Sequence, residues 1–167
     1  MARFGRRPLV LAAVLLVCGV VGYELWPRDE TRIAALLEES CARLNQTRDD
    51  ATLTSLREFL GSAFLPQATV RIAELDQELQ GADDMTARAR ELLAGPPLSF
   101  ALNSVEIKVS GRLARVEAEL LVSVRGGGEQ RREVRHTHVR LAKRADRWQV
   151  EAVEVDPIAP SEPEARP

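Results

Sequence analysis

The chain has 167 residues, with 23 lysines and arginines against 25 aspartates and glutamates, for a formal charge of −2. This balance excludes the basic excess of a nucleic-acid-binding domain, and 45% hydrophobic with 29% charged residues excludes global disorder. Two cysteines exclude a disulfide-stapled mini-protein and a four-cysteine zinc site, and 4% aromatic residues exclude a base-stacking platform.

Residues 1–8 form a basic leader, with Arg3, Arg6 and Arg7 ahead of Pro8. Every residue from Leu9 to Gly22 is apolar or glycine, and the stretch continues to Trp26 with Glu24 as its one interruption. These 18 positions fall within the roughly 17–25 that span a bilayer as a helix. Tyr23 and Trp26 stand where an aromatic belt meets the far interface, and Pro27 discourages the helix from running on. The leading arginines favour a cytoplasmic N-terminus. The expectation is a single-pass anchor over residues 9–26 in a bacterial inner membrane, with the rest of the chain in the periplasm. The alternative is a cleaved signal peptide followed by export. Gly22 with Val20 lacks the Ala-x-Ala form, Val17 before Cys18 lacks the small residue of a lipobox, and Pro8 after Arg6 and Arg7 disfavours a twin-arginine signal. Both readings put the remainder outside the cytoplasm.

From Asp29 onward, Ile33, Leu36, Leu37, Cys41 and Leu44 recur at helical spacing, and Asp29 and Glu30 suit the positive end of a helix over 29–46. A polar run from Asn45 to Asp50 turns the chain. Leu53, Leu56, Leu60 and Phe64 predict a second helix over 52–64, with Ser55 and Glu58 spaced as a capping box and Pro66 at its end. Residues 67–80 are ambiguous. Ala68, Ile72, Leu75 and Leu79 fit a helix, whereas Thr69, Val70, Arg71 and Ile72 fit a strand. Gly81 then precedes Asp83 and Asp84, both good helix-capping residues, and a short helix through Met85, Ala89, Leu92 and Leu93 stops at Gly95, Pro96 and Pro97.

Beyond Pro97 the period becomes two. Val105, Ile107 and Val109 alternate with Glu106, Lys108 and Ser110, and Gly111 with Arg112 makes a turn. Ala114, Val116, Ala118, Leu120, Val122 and Val124 share one face of a long strand, with Arg115, Glu117 and Glu119 on the other. Gly126, Gly127 and Gly128 suit a hairpin tip, since glycine takes positive φ freely. Residues 133–143 read as a third strand and 148–155 as a fourth, joined by a turn at Ala145, Asp146 and Arg147. The expected sheet is an antiparallel meander. Residues 156–167 are proline-rich and read as a disordered tail.

Helices followed by a meander ending in Trp148, Gln149 and Val150 make an α+β plan. The glycine-then-helix stretch from Gly81 to Leu93, residues 105–109, Gly111 with residues 114–124, and Leu141, Ala142 and Lys143 leading to Trp148 resemble the nuclear transport factor two-like, or SnoaL-like, superfamily. That resemblance covers about 29–155. It implies a cystatin-like cone in which a curved antiparallel sheet wraps the helices. It also implies a family holding isomerases, cyclases and dehydratases beside many members without catalysis, some of them single-span parts of envelope assemblies. Catalytic members resembling ketosteroid isomerase pair a buried acidic base with a phenol or protonated acid. Here Tyr23 is the one tyrosine and lies in the anchor, and Glu74 or Asp76 are the carboxylates that could face a pocket. Neither makes a convincing catalytic set.

His136 and His138, two apart on a strand, point the same way and could share a metal or titrate together, with Glu117 or Glu119 as a third ligand. A pair of half-exposed residues on a sheet face is the plainer account. The basic stretch of Arg131, Arg132, Arg135, Arg140, Lys143, Arg144 and Arg147 interleaves with Glu129, Glu133 and Asp146. It reads as a charge-paired hairpin, or alternatively as a surface for anionic headgroups or an acidic partner. The three glycines lack the lysine and helix of a phosphate loop. Cys41 reads as a small core residue and Trp148 as packing. No cofactor is expected. The leading expectation is a noncatalytic, membrane-tethered periplasmic domain that binds a second copy or an envelope protein through Arg115, Glu117 and Glu119, with no nucleic-acid partner. The alternative is a small-molecule or enzymatic pocket.

Overall fold

The computed structural model describes residues 28–157 apart from 74–76 and 127–128. The basic leader, the span from Leu9 to Trp26 and the tail beyond Pro157 lie outside the described residues. Among the described residues no helix is long and apolar enough to cross a membrane.

Helix α1 is Asp29–Gln46, with Asp29 and Glu30 in its first turn and Arg43 in its last, each complementing the helix dipole. Ile33 and Leu37, one turn apart, are its buried residues. Helix α2 is Asp50–Ala63 and buries Leu53, Leu56, Leu60 and Ala63. Its capping box is made by Asp49 and Thr52, not by Ser55 and Glu58. The Thr52 N–H donates to Asp49 Oδ1 at 2.9 Å and the Asp49 N–H donates to Thr52 Oγ1 at 3.0 Å. A helix beginning at Asp50 leaves Ser55 inside it, where it accepts from Arg43.

Phe64 is not the end of this helix but the first residue of strand β1, Phe64–Ile72. Pro66 fits the change, because a proline disfavours helical backbone at the residue before it, here Leu65, so the helix ends ahead of that position. Of the ambiguous stretch, residues 67–72 are strand. They are followed by β2, Gln77–Gln80, which pairs antiparallel with β1 from Thr69↔Gln80 to Ile72↔Gln77. Helix α3, Gly81–Leu93, follows directly. Gly81 has φ +73°, and a Cβ there would stand 3.0 Å from the Pro66 carbonyl oxygen, so only glycine fits this junction without strain. Asp84 accepts from the Gln80 N–H, and Asp83 pairs with Arg57 of α2.

Four long strands follow: β3 Leu98–Ser110, β4 Leu113–Gly126, β5 Glu129–Arg144 and β6 Arg147–Val155. They form the expected meander, although β3 starts earlier and β5 is longer than the alternation indicated. Ala145 and Asp146 both take positive φ, 45° and 62°, the backbone of a primed hairpin turn that matches strand twist. The sheet order is β2-β1-β6-β5-β4-β3. It is mixed and not wholly antiparallel, because β1 runs parallel to β6.

One face of the sheet carries the core. Ile33 and Leu37 of α1, Leu56 and Leu60 of α2 and Met85 of α3 join Val116, Val139, Leu141, Trp148 and Val150 of the sheet in one cluster. The free edge of β3 is held by α1. Asn45 Nδ2 donates to the Phe100 carbonyl at 2.7 Å, and the Phe100 N–H donates to Asn45 Oδ1 at 2.7 Å. One amide thus satisfies both outward backbone groups of an edge residue, as a neighbouring strand would.

Candidate functional site

The period of two sends Ala114, Val116 and Ala118 into the core and turns Arg115, Glu117 and Glu119 away from it. On β5, Thr137, Val139 and Leu141 face in, while His136, His138 and Arg140 are exposed. Register then decides which of these meet. Glu117 lies directly opposite His138, and Glu119 opposite His136. The two sequence-predicted groups, the interface trio and the histidine pair, therefore occupy one surface.

That surface is banded by charge. One row across the strands is Lys108, Arg115 and Arg140. The next is Glu106, Glu117, His138 and Glu154. The third joins Ser104, Glu119 and His136. Like charges directly opposite each other oppose pairing, typically by a few tenths of a kcal/mol. The rows thus carry a local cost, which an ion pair between neighbouring rows offsets in part. Lys108 Nζ stands 3.0 Å from Glu106 Oε1, which stabilises the ammonium and raises its pKa. Asn103 donates to Glu119 at 2.8 Å. His138 Nε2 lies 3.3 Å from Asp156 Oδ2, and the Asp156 N–H donates to the His136 carbonyl. A shallow depression of ≈ 330 Å³ is lined by Glu106, Glu117, Glu119, His136, His138 and Asp156. Among the described residues no three of His, Cys, Asp and Glu are arranged to hold a metal ion.

A larger open groove of ≈ 840 Å³ runs between α1, α2 and the β5–β6 turn. Its polar lining is largely paired already. Arg43 bonds Glu39 and Ser55 and lies 5.6 Å from the centroid of the Phe59 ring. Lys143 bonds Asp29 at 2.9 Å and stands over Trp148 at 5.7 Å. Trp148 is buried and donates its indole N–H to Asp29 at 2.9 Å. These two donors stabilise the Asp29 carboxylate and hold its pKa below the ordinary value. Half-buried Cys41 is a free thiol whose pKa is raised by burial first and by Glu38 second, the opposite of a reactive thiolate. Tyr23, Glu74 and Asp76 lie outside the described residues, as do Gly127 and Gly128.

Glu106, Lys108, Glu154 and Asp156 complete the banded surface and were not singled out from the sequence. The alternation of β3 carried a signal for the first two. Nothing local placed Glu154 of β6 and Asp156 just beyond it beside the histidines, because that depends on register.

Among solved structures, the chain is similar to a nuclear transport factor two-like protein with a cystatin-like fold from Novosphingobium aromaticivorans. That match has a TM-score of 0.63 at 14% identity and covers 92% of this chain and 90% of the other. A Mycobacterium tuberculosis protein of unknown function matches with a TM-score of 0.63 at 13% identity, over 93% of this chain and 77% of the other. A candidate aromatic ring hydroxylase, also from Novosphingobium aromaticivorans, gives a TM-score of 0.64 at 13% identity, over 79% and 90%. At such identities these likenesses speak for the fold alone. No curated protein sequence matches this chain. Residues 29–154 match the SnoaL-like domain model. That range takes in every described helix and all but the last residue of β6, so the chain belongs to the SnoaL-like domain family.

Proposed function

We propose that this chain is a noncatalytic, membrane-tethered periplasmic domain that assembles with a second copy of itself through the outer face of its sheet. The tether is the apolar stretch from Leu9 to Trp26. The observation that carries the assembly reading is the banding: a cationic row of Lys108, Arg115 and Arg140 lies beside an acidic row of Glu106, Glu117 and Glu154. A two-fold axis between two such faces brings the basic band of each copy onto the acidic band of the other, a self-complementary arrangement.

Photo-crosslinking of the full chain in native membranes, from a probe at Ser104 beside the bands, tests it. A homodimer adduct is expected, and its yield falls by at least about tenfold in E117R/E119R, because like charges then meet across the axis. A solitary monomer in every condition overturns assembly. An adduct with an envelope protein instead replaces the second copy as the occupant.

A further inference from the structure

The basic stretch of β5 and the β5–β6 turn is divided by the fold. Arg131 and Arg132 sit at one end of β5, and Lys143 and Arg144 at the other, roughly 40 Å away along an extended strand. The second end is where α1 begins. Asp29 accepts from Lys143 Nζ at 2.9 Å and from Trp148 at 2.9 Å, which ties the first turn of α1 to the β5–β6 turn. The β3–β4 turn joins them, as Arg112 donates from Nε to the Lys143 carbonyl at 3.1 Å. Arg28, Arg112, Arg144 and Arg147 are exposed at this tip. Leu113, beside Arg112, is 59% exposed.

We infer that this tip is a docking surface for anionic phospholipid headgroups and fixes how the domain stands on the bilayer. The inference rests on the tethering reading. Between Trp26 and Arg28 there is only Pro27. A residue spans at most about 3.5 Å, so the start of α1 lies within roughly 10 Å of the end of the apolar stretch. The tip is then within about one Debye length of the headgroups whatever the domain's tilt. Its cations outnumber Asp29, Glu30 and Asp146, and Lys143 answers Asp29 directly. An exposed leucine next to an arginine, at a tip carrying three more, is the composition of an interfacial anchor: the guanidinium groups meet phosphates while the apolar side chain enters the headgroup layer. The far end has basic residues too, but Glu133 pairs with Arg131 and Arg135 there, and the chain does not lead that end to a membrane.

The test is hydrogen exchange on the full chain in protein-free vesicles. One set is phosphatidylcholine alone and the other is phosphatidylcholine mixed with phosphatidylglycerol. Flotation in high salt is scored in parallel and reports the tether by itself. Slower exchange at residues 111–113 and 144–147 is expected in the anionic vesicles alone. Protection falls by roughly fivefold for each arginine neutralised in R144Q and R144Q/R147Q. Exchange around residues 131–133 serves as the unaffected control. Retention on vesicles with equal exchange at the tip in both lipids overturns this inference and leaves the tether standing. Release from vesicles in high salt overturns the tether, and with it the geometry invoked here. Protection in native membranes but not in anionic vesicles also overturns it, in favour of an acidic protein partner.

Discussion

Thr137 sits on the inward side of β5, between Ala118 of β4 and Val155 of β6, and is 7% exposed. Its Oγ1 has no hydrogen-bond partner among the described residues. A buried, unanswered hydroxyl pays the desolvation penalty of a polar group, whereas valine keeps the shape without it. T137V is expected to stabilise the protein by about 1 kcal/mol, read as a higher denaturant midpoint at unchanged slope; a lower midpoint would show that the hydroxyl is answered. A threonine in a strand is no surprise in the sequence, but its missing partner is invisible there. Asp29 is the opposite case. Its folded pKa is lowered first by the Lys143 hydrogen bond and next by the Trp148 hydrogen bond. A depressed carboxylate contributes stability that is present above its ordinary value of 3.8 and is lost as pH falls through the lower folded value. The side chain is 29% exposed, so the contribution is about 1 kcal/mol after discounting for solvent screening. Wild type should exceed D29N in stability near neutral pH, and the gap should close as pH falls below that value. Parallel stability curves across the acid range would refute it.

At the scale of elements, α1 was readable to the residue, since its apolar spacing and its acidic first turn agree. The boundary between α2 and β1 was not. Helical spacing continues through Phe64, and only the proline two residues later marks where the backbone turns extended. The segment after it satisfied both periods. Its pairing with β6 on one side and β2 on the other decided for strand, a tertiary choice overriding local pattern. The closure of the sheet edge by Asn45 is equally non-local, linking α1 to β3 across 55 positions. Removing that amide leaves the Phe100 N–H and carbonyl without their partner. N45A should cost about 1–3 kcal/mol and speed hydrogen exchange at Phe100, while exchange in β5 rises only as far as the loss of global stability dictates. Unchanged exchange at Phe100 would show that the edge is protected by something else.

For the molecule as a whole, the sheet divides two tasks between its faces. The inner face is covered by three helices and carries the apolar cluster. The outer face is charged in rows, with the histidines set directly against glutamates. The trio of Arg115, Glu117 and Glu119 was picked from alternation alone, and the histidine pair from spacing alone. Their meeting on one surface required the register of β4 on β5. The charge-reversal crosslinking experiment belongs at this scale, because it interrogates rows and not single pairs.

The α+β order, the bounds of the first helix, the glycine turn at position 111 and the outward side of β4 were all legible in the amino acids, because helix period, strand alternation and turn chemistry are properties of a few neighbouring residues. The same holds for the long apolar run ahead of Pro27. The parallel union of β1 with β6, the Asp49–Thr52 cap in place of Ser55 and Glu58, the splitting of one basic stretch between two ends of the molecule, and the rows of charge across the sheet came only with the folded chain. Each depends on which distant segments lie side by side and in what register, and a shift of one position would turn every such side chain to the other face.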